Sequence, residues 1–376
     1  MNSSSREVLI IDIRGVIARD ESTILRHIDY GKYLAQISHG NTSLVVISRG
    51  NSTLINKLVT AYDAPRKFII EERSRFNLLH FTFLCLRYVR ENTSRISLLV
   101  SGDPWETYWF CRFLSLLAGD HLKIQVQLHA DILDPNWRQL SAANRIRFHL
   151  LRLNSKSIHN VRLVSASQRA NILNRFPYLV SRITVAPVPL SISPYTRRAD
   201  LKLPNKLVIG FVGRIHKDRG LILFVNVINR LEQDGWRGRV LVVGEGPEAN
   251  SFRKNLEDIV GTSRVTFTGV KSGGELRKFW EEIDVLLNTA PTESYGRSTR
   301  EALYYGKVVM SLETNGISEL RSERDSGQLV VIDPTEPESW INELRKLAGF
   351  KAQESYSKRV WEQNEQDMMN VIRSWE

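Results

Sequence analysis

The chain has 376 residues, of which 42% are hydrophobic and 25% charged, and its formal net charge is +11. This composition is typical of soluble globular proteins and excludes collagen-like, low-complexity and strongly biased disordered chains. The length exceeds what a single hydrophobic core usually serves, so it predicts two domains.

The positive charge is concentrated in the first half of the chain. Residues 1–200 carry 27 Lys and Arg against 15 Asp and Glu, whereas the rest of the chain is close to neutral. Such asymmetry favours an anionic partner, which could be acidic lipid, nucleic acid or a phosphate-bearing substrate.

Short β-branched or Leu-rich runs recur along the first half, separated by segments of helical length. The runs are EVLIIDI, SLVVISR, RISLLVSG, KIQVQLHAD and NVRLVSAS. The second half continues the pattern with KLVIGFVG, RVLVVGEG, RVTFTGV, DVLLNTA, KVVMSLE and QLVVIDP. Continuous apolar runs of this kind are typical of parallel strands covered on both faces. The sequence therefore predicts an α/β protein with two doubly wound parallel-sheet, Rossmann-like domains.

A proline-rich stretch, PVPLSISPYTRRADLKLP, separates the two series of strands and predicts the linker, because proline disfavours both helix and central strand. We place the domains at 1–190 and 206–352, with the linker at 191–205. Residues 353–376 form a separate C-terminal helix, whose Trp361, Met368, Ile372 and Trp375 fall on one face that needs a partner surface.

Cys85 and Cys111 lie among apolar and aromatic residues, which predicts reduced thiols in a core. The N-terminus has no secretion-signal pattern, and no window approaches the roughly 20 apolar residues that span a bilayer. We expect a cytoplasmic protein, at most peripheral on the cytoplasmic face of the membrane.

The loops that follow the second-half strands carry the residues suited to chemistry, because ligands of doubly wound sheets bind beyond the strands' carboxyl ends. Arg214 and Arg219 follow KLVIGFVG, where two guanidiniums beside a helix N-terminus could hold a diphosphate. The alternative is a pair of solvated loop arginines. Gly244 follows RVLVV and permits a tight turn; an ordinary strand-to-helix connection is the favoured explanation, and a ligand contact is the alternative.

The stretch PTESYGRSTREALYYGK combines two acids with a predicted helix start. Gly296 would let a ligand approach the backbone, and the amides of Arg297 and Ser298 would open a short helix. Ser298 and Glu301 also match a capping box, which is a structural alternative for that glutamate. The cap does not explain Glu293, which precedes the helix.

In the first half, His129 directly follows the strand KIQVQL, and Gly15 follows the first strand. Each has a structural alternative: a lone histidine is often structural, and Gly15 could simply serve a turn.

Together these stretches resemble the retaining nucleotide-sugar transferases of glycosyltransferase family 4, which have the two-domain GT-B fold. The resemblance is strongest from Lys206 to Glu319 and rests on GFVGRIHKDRG, VLVVGEGPE, VTFTGV and the E-x7-E region that begins at Glu293. In the first half it is confined to VQLHAD, Asp103-Pro104 and RLVSAS. The resemblance implies two domains facing a cleft, with the C-terminal helix crossing back onto the N-terminal domain.

The resemblance also implies roles for individual residues. Arg214 and Arg219 would hold the donor diphosphate, and Glu301 would bind the ribose. Glu293, with His129 from the opposite domain, would approach the transferred sugar. The remaining donor contacts would come from Gly15, Gly244, Val270 at the base pocket, and the amides of Ser294, Tyr295, Gly296, Arg297 and Ser298. The chain departs from the family pattern in its single first-loop glycine, in APVPLS before the linker and in ESYG where EGFG is common.

The implied function is retaining, metal-independent transfer of a hexose from a nucleotide sugar to a glycan or lipid-linked acceptor in envelope or exopolysaccharide biosynthesis. A UDP-sugar is the favoured donor, and a GDP-sugar is the alternative. No cofactor is expected, because no Asp-x-Asp of the metal-dependent type occurs on a suitable loop. Two arginine-rich apolar segments, RSRFNLLHFTFLCLRYVR and NWRQLSAANRIRFHLLRL, could be interfacial helices at an anionic membrane or ordinary packing helices. A basic nucleic-acid-binding protein and a catalytically silent nucleotide-sugar-binding scaffold are the alternative functions.

Overall fold

A computed structural model describes residues 6–17, 21–50, 56, 66–71, 77–119, 122–190, 192, 204–320, 324–332, 336–347 and 354–375. The chain divides into two compact units. The first unit comprises Met1–Leu133, Ser141–Val188 and Gln366–Glu376, and the second comprises Asp134–Leu140 and Pro189–Glu365. The division falls within the proline-rich stretch, while most of the predicted linker lies outside the described residues.

The first unit contains a seven-stranded parallel sheet. Its strands are β1 (Arg6–Asp12), β2 (Thr42–Arg49), β3 (Arg66–Glu71), β4 (Ile96–Ser101), β5 (Ile124–Leu128), β6 (Asn160–Leu163) and β7 (Ile183–Val185). They are arranged in the order β3-β2-β1-β4-β5-β6-β7. The connecting helices are α1 (Glu21–Ile37), α2 (Asn77–Asn92), α3 (Glu106–Leu117), α5 (Ala142–Asn154) and α6 (Ala166–Arg175).

The second unit contains a six-stranded parallel sheet in the order β10-β9-β8-β11-β12-β13. Its strands are β8 (Val208–Val212), β9 (Arg239–Val243), β10 (Val265–Phe267), β11 (Val285–Asn288), β12 (Val308–Leu312) and β13 (Leu329–Ile332). Its helices are α4 (Pro135–Gln139), α7 (Leu221–Gln233), α8 (Ala249–Val260), α9 (Gly273–Glu282), α10 (Arg297–Tyr304) and α11 (Pro337–Lys346). The predicted fold class, with a parallel α/β sheet in each half, is confirmed.

The apolar strands form the cores because helices cover both faces of each sheet. In the second unit, Phe211, Phe224 and Phe252 are buried, and their ring centroids lie 5.3–5.5 Å apart. Cys85 and Cys111 are free and buried, as predicted, and burial raises the pKa of each thiol.

The last helix, α12 (Glu354–Arg373), contributes residues to both units. Trp361 packs on Tyr304 in the second unit, with ring centroids 6.4 Å apart. Ile372 and Trp375 are buried in the first unit, where Trp375 lies edge-on to Tyr30 at 5.4 Å. Among the described residues, no helix has the length and apolar character needed to span a bilayer.

Two local expectations are corrected. The segment NWRQLSAANRIRFHLLRL is not a single helix, because the Ser141 side chain accepts a hydrogen bond from the Asn144 amide and starts α5 separately from α4. The strands β3 and β7 were missed because β3 has charged residues at both ends and β7 has only three residues.

Candidate active site

The predicted second-half residues lie at the carboxyl ends of neighbouring strands. β8 is flanked by β9 and β11 in the sheet, so the loops that leave these three strands meet at one edge. These loops come into close backbone contact at two glycines. A Cβ atom added at Gly244 would lie 1.8 Å from the Gly213 carbonyl oxygen, and one at Gly220 would lie 1.9 Å from that of Thr289. Glycine is therefore required at both positions for the loops to pack as they do.

The loop after β8 presents the two arginines. The Ile215 amide donates to the Glu245 carbonyl at 2.9 Å, which ties this loop to the one after β9. Farther along, Thr289 Oγ1 donates to the Arg219 carbonyl at 3.0 Å. Thr289, which follows β11, thus fixes the backbone at Arg219 just before α7 begins at Leu221.

Asp218 lies between the two arginines in sequence and is paired with the first. Arg214 Nη2 donates to Asp218 Oδ2 at 2.6 Å, and His216 Nδ1 lies 2.9 Å from Asp218 Oδ1. Partial burial alone would raise the pKa of Asp218, but the hydrogen bond with His216 and the charges of Arg214 and Arg219 outweigh it and hold that pKa below its ordinary value. Asp218 therefore remains a carboxylate at neutral pH and orients Arg214.

Glu293 is paired through both of its carboxylate oxygens. Arg219 Nη1 donates to Oε1 at 2.8 Å, and Asn288 Nδ2 donates to Oε2 at 2.9 Å. The Asn288 amide also donates to Thr299 Oγ1 at 3.1 Å. Because the Glu293 side chain is only 7% exposed, these two donors compensate for much of the cost of taking its charge out of water.

The helix α10 begins at Arg297, as predicted, but it is not started by a capping box. Its N-cap residue is Gly296, with φ 74° and ψ 54°, and no side chain caps the helix. Glu301 Oε1 instead accepts a hydrogen bond from Arg297 Nη2 at 3.1 Å. The capping-box interpretation of Ser298 and Glu301 is therefore wrong, since Ser298 already lies inside the helix.

The aromatic residue of ESYG is held in place by packing. Tyr295 is buried, and the Arg300 guanidinium lies 4.2 Å from the centroid of its ring. Arg300 Nε also donates to the Tyr295 carbonyl at 3.0 Å. These contacts fix the backbone between Glu293 and α10, the segment in which we predict sugar and phosphate contacts from the amides of Ser294 and its neighbours.

The predicted base-pocket residue, Val270, lies beside the turn after β9. The Gly244 amide donates to the Gly269 carbonyl at 2.9 Å, and Val270 is exposed. An apolar side chain left in solvent next to this turn is available to pack on a planar base.

The two predicted residues of the first half lie in the first unit. His129 is exposed directly after β5, and its Nε2 lies 3.1 Å from Gln127 Oε1. Gly15 has φ 63°, and a Cβ atom there would lie 2.0 Å from the Arg49 carbonyl oxygen. Packing against β2 is thus sufficient reason for a glycine at this position.

Asp218 and Asn288 are the site residues that sequence reasoning missed. Asp218 stands between two arginines in RIHKDR, and Asn288 is a polar residue that ends an otherwise apolar strand. Both patterns can be seen in the sequence. The residues to which these side chains bond, however, are determined by how the loops fold. In the part of the chain that the structure describes, no group of three or more His, Cys, Asp or Glu side chains is placed to hold a metal ion.

The fold matches that of a solved structure. Over 97% of this chain and 99% of the other, the structure matches HepE (Alr3699) of Anabaena, solved in complex with UDP-glucose, with a TM-score of 0.69 and 17% sequence identity. Two units, each built on a parallel α/β sheet, are the architecture of the GT-B fold.

The sequence of the second unit matches a known family. Residues 206–349 match the family described as "Glycosyl transferases group 1".

Two curated relatives extend the comparison. The 2-deoxystreptamine glucosyltransferase of Streptomyces kanamyceticus is 29% identical over 154 residues, which is 41% of this chain and 39% of that protein. The phosphatidylinositol N-acetylglucosaminyltransferase gpi3 subunit of Schizosaccharomyces pombe is 23% identical over 171 residues, 46% of this chain and 38% of the relative. The matches therefore span less than half of each relative.

Proposed function

We propose that the protein is a retaining, metal-independent glycosyltransferase that moves a hexose from a nucleotide sugar to a glycan or lipid-linked acceptor. The observation that carries this proposal is the pairing of Glu293 with Arg219 at the sheet edge of the second unit. Arg219 Nη1 donates to the Glu293 carboxylate at 2.8 Å, and Glu293 lies shortly before α10, which begins at Arg297. The match of residues 206–349 to the family described as "Glycosyl transferases group 1" supports the reaction class.

The arrangement suits the departure of a nucleoside diphosphate. As the bond between the sugar C1 and the phosphate oxygen breaks, negative charge builds on the diphosphate. Guanidiniums and helix-terminal amides that are already in position lower the barrier, because they need no reorganisation during the reaction. In this proposal Arg214 and Arg219 hold the diphosphate with the amides of Arg297 and Ser298, and Glu301 binds the ribose.

Retention follows from attack on the face that the leaving group vacates. The acceptor oxygen bonds to C1 on that face while its proton passes to a phosphate oxygen of the leaving nucleotide. Glu293 then serves to position the sugar and not as a nucleophile, which agrees with its two oxygens accepting bonds from Arg219 and Asn288. The role of His129 at the sugar stays a prediction.

The donor, the acceptor and the location are finer parts of the proposal. We favour a UDP-sugar over a GDP-sugar, because HepE of the same fold was solved with UDP-glucose. A lipid-linked acceptor would explain the excess of positive charge in residues 1–200. We therefore place the protein in cell-envelope or exopolysaccharide biosynthesis, peripheral on the cytoplasmic face of the membrane.

A binding panel tests the core of the proposal. UDP, GDP and ADP and their sugars are added without metal, and thermal unfolding is followed. A ligand at about 100 times its Kd raises the free energy of unfolding by about 2.7 kcal/mol, so the specific donor stands out from the others. Transfer assays with EDTA and with Mg²⁺ should give equal rates. Absence of any nucleotide effect, or activity only with Mg²⁺, would overturn the proposal.

A further inference from the structure

Three helices of the first unit pack side by side. Between α2 and α3, the rings of Phe81 and Phe110 stack at 5.9 Å, and Arg90 Nη2 donates to the Leu117 carbonyl at 3.0 Å. These contacts join the two helices near both of their ends.

The third helix, α5, joins α3 on the other side. Arg147 pairs with Glu106 at 3.1 Å, and its guanidinium lies 5.3 Å from the Trp105 ring centroid. The Tyr108 hydroxyl lies 2.8 Å from the Ser157 hydroxyl, just beyond the end of α5. The helices α2, α3 and α5 therefore form one continuous surface, which we call the three-helix face.

Large apolar side chains are exposed along the three-helix face. The exposed fraction reaches 83% for Leu79 in α2, 53% for Trp109 in α3 and 74% for Leu153 in α5. The others in this set are Leu78, Phe83, Phe113, Leu116, Leu117 and Ile146. Their spacing within each helix is helical, so each helix turns one apolar stripe outward while a second stripe, which includes Phe81 and Leu114, is buried.

The face is also basic. The three helices together contain six arginines and two glutamates. The arginines are Arg87, Arg90, Arg112, Arg145, Arg147 and Arg152, and the glutamates are Glu91 and Glu106. Exposed aromatic and aliphatic side chains interspersed with arginine are typical of surfaces that lie in the interface of an anionic bilayer.

We propose that the three-helix face docks the protein on acidic membrane lipid. A second copy of this chain would bring two positively charged surfaces together, and nucleic acid would not require Leu, Ile and Phe side chains to leave water. Acidic lipid can bind both kinds of side chain on this face: its anionic headgroups would pair with the arginines, and the apolar side chains would insert at the boundary of the acyl chains. This inference names the membrane-binding surface of the proposed function and rests on its peripheral-membrane part.

Vesicle flotation of the full chain tests the assignment. Vesicles of phosphatidylcholine alone are compared with vesicles that also contain phosphatidylglycerol, at low and high salt. The variant Phe83→Gln/Trp109→Gln/Leu116→Gln removes apolar side chains and keeps the charge, whereas Arg145→Gln/Arg152→Gln does the reverse. The matched control is Val180→Gln/Ile222→Gln, which alters two exposed apolar residues outside the face.

We expect the wild type and the control to bind the acidic vesicles and to be released by salt. Each face variant should bind at least about tenfold more weakly. No binding by the wild type, equal binding by the face variants, equal loss in the control, or a preference for RNA or self-association would overturn the assignment. Nucleotide-induced thermal stabilisation, measured without vesicles, is a separate readout: if it persists while vesicle binding is absent, the docking surface fails and the transferase proposal stands.

Discussion

The substitution Asn288→Leu isolates the part of the site that holds Glu293 in place. Asn288 Nδ2 donates to Glu293 Oε2 at 2.9 Å and to Thr299 Oγ1 at 3.1 Å, and the residue is buried at the end of β11. Leucine has a similar volume and no donor, so the change leaves the strand packed but removes the hydrogen bond from Asn288 to the carboxylate.

The expected magnitude follows from the kind of bond that is lost. A hydrogen bond to a charged group contributes roughly 1.5–3 kcal/mol, and a buried acceptor left without its donor costs about 1–3 kcal/mol. If the carboxylate reorients toward Arg219 to recover that energy, it moves away from the position proposed for the sugar. A misplacement worth about 1–2 kcal/mol in the transition state lowers kcat/KM about 5- to 30-fold.

The assay compares kcat/KM for transfer, or for donor hydrolysis in the absence of acceptor, with the Kd for the nucleoside diphosphate alone. We expect turnover to fall while the diphosphate Kd changes little, because the Asn288 amide donates to Glu293 and Thr299, neither of which is assigned to the phosphates. Asn136→Leu is the matched control, since Asn136 Nδ2 donates to the backbone of the same loop, at the Pro291 carbonyl 3.3 Å away. A folded Asn288→Leu protein with unchanged kcat/KM would refute this reasoning, and so would an equal loss in the control.

Three other predictions concern charges. Arg219→Ala should weaken donor binding by about tenfold or more. Arg219→Lys should keep the donor Kd within about threefold of the wild type, because lysine keeps a charge beside both Glu293 and the diphosphate. Equal losses of affinity in the two variants, measured by calorimetry, would contradict the phosphate role. Glu301→Ala should weaken nucleoside diphosphate binding about tenfold without loss of the α10 start, which Gly296 forms; unchanged affinity would exclude the ribose role. Burial and the charge of Arg26 lower the pKa of His27 to about 3 from 6.5, so the unfolded chain binds a proton that the folded chain does not. The free energy of unfolding should therefore fall as the pH drops below 6.5, by about 2 kcal/mol at pH ~5. In denaturant titrations at several pH values, His27→Gln should remove this part of the pH dependence. A variant that keeps the wild-type pH dependence would disprove the role of His27.

The sequence predicted the two parallel sheets well, because each strand that packs between two layers of helices must be almost wholly apolar. The prediction failed where the pattern was too short or too charged to stand out, as in β3 and β7. The single helix predicted across Leu140 also failed, although Ser141 and the Asp134-Pro135 pair are recognisable helix starts. Local capping signals were thus present and were outweighed by the longer amphipathic pattern.

The site was predictable in position but not in its contacts. Strand ends place loops at one edge of a sheet whatever their sequence, so Arg214, Arg219 and Glu293 could be assigned to the same edge. Their pairing could not be read from spacing, since Arg219 and Glu293 are 74 positions apart and Asn288 reaches Glu293 only because the chain turns sharply after β11. The capping box failed for a related reason: its spacing was correct, but a left-handed glycine had already started the helix two residues earlier.

That glycine connects the geometry of the loop with the proposed role of the acid. Gly296 has φ 74°, which disfavours any other residue, and a Cβ atom there would lie 3.1 Å from Glu293 Oε2 and 3.3 Å from Ile317 Cδ1. The same position therefore turns the chain into α10 and leaves room for the carboxylate against the backbone. Because Arg219 fixes one oxygen of Glu293 and Asn288 the other, the acid is held beside the helix N-terminus before any ligand arrives. Preorganisation of this kind favours a positioning role over covalent attack, since a nucleophile would have to give up the bonds that orient it.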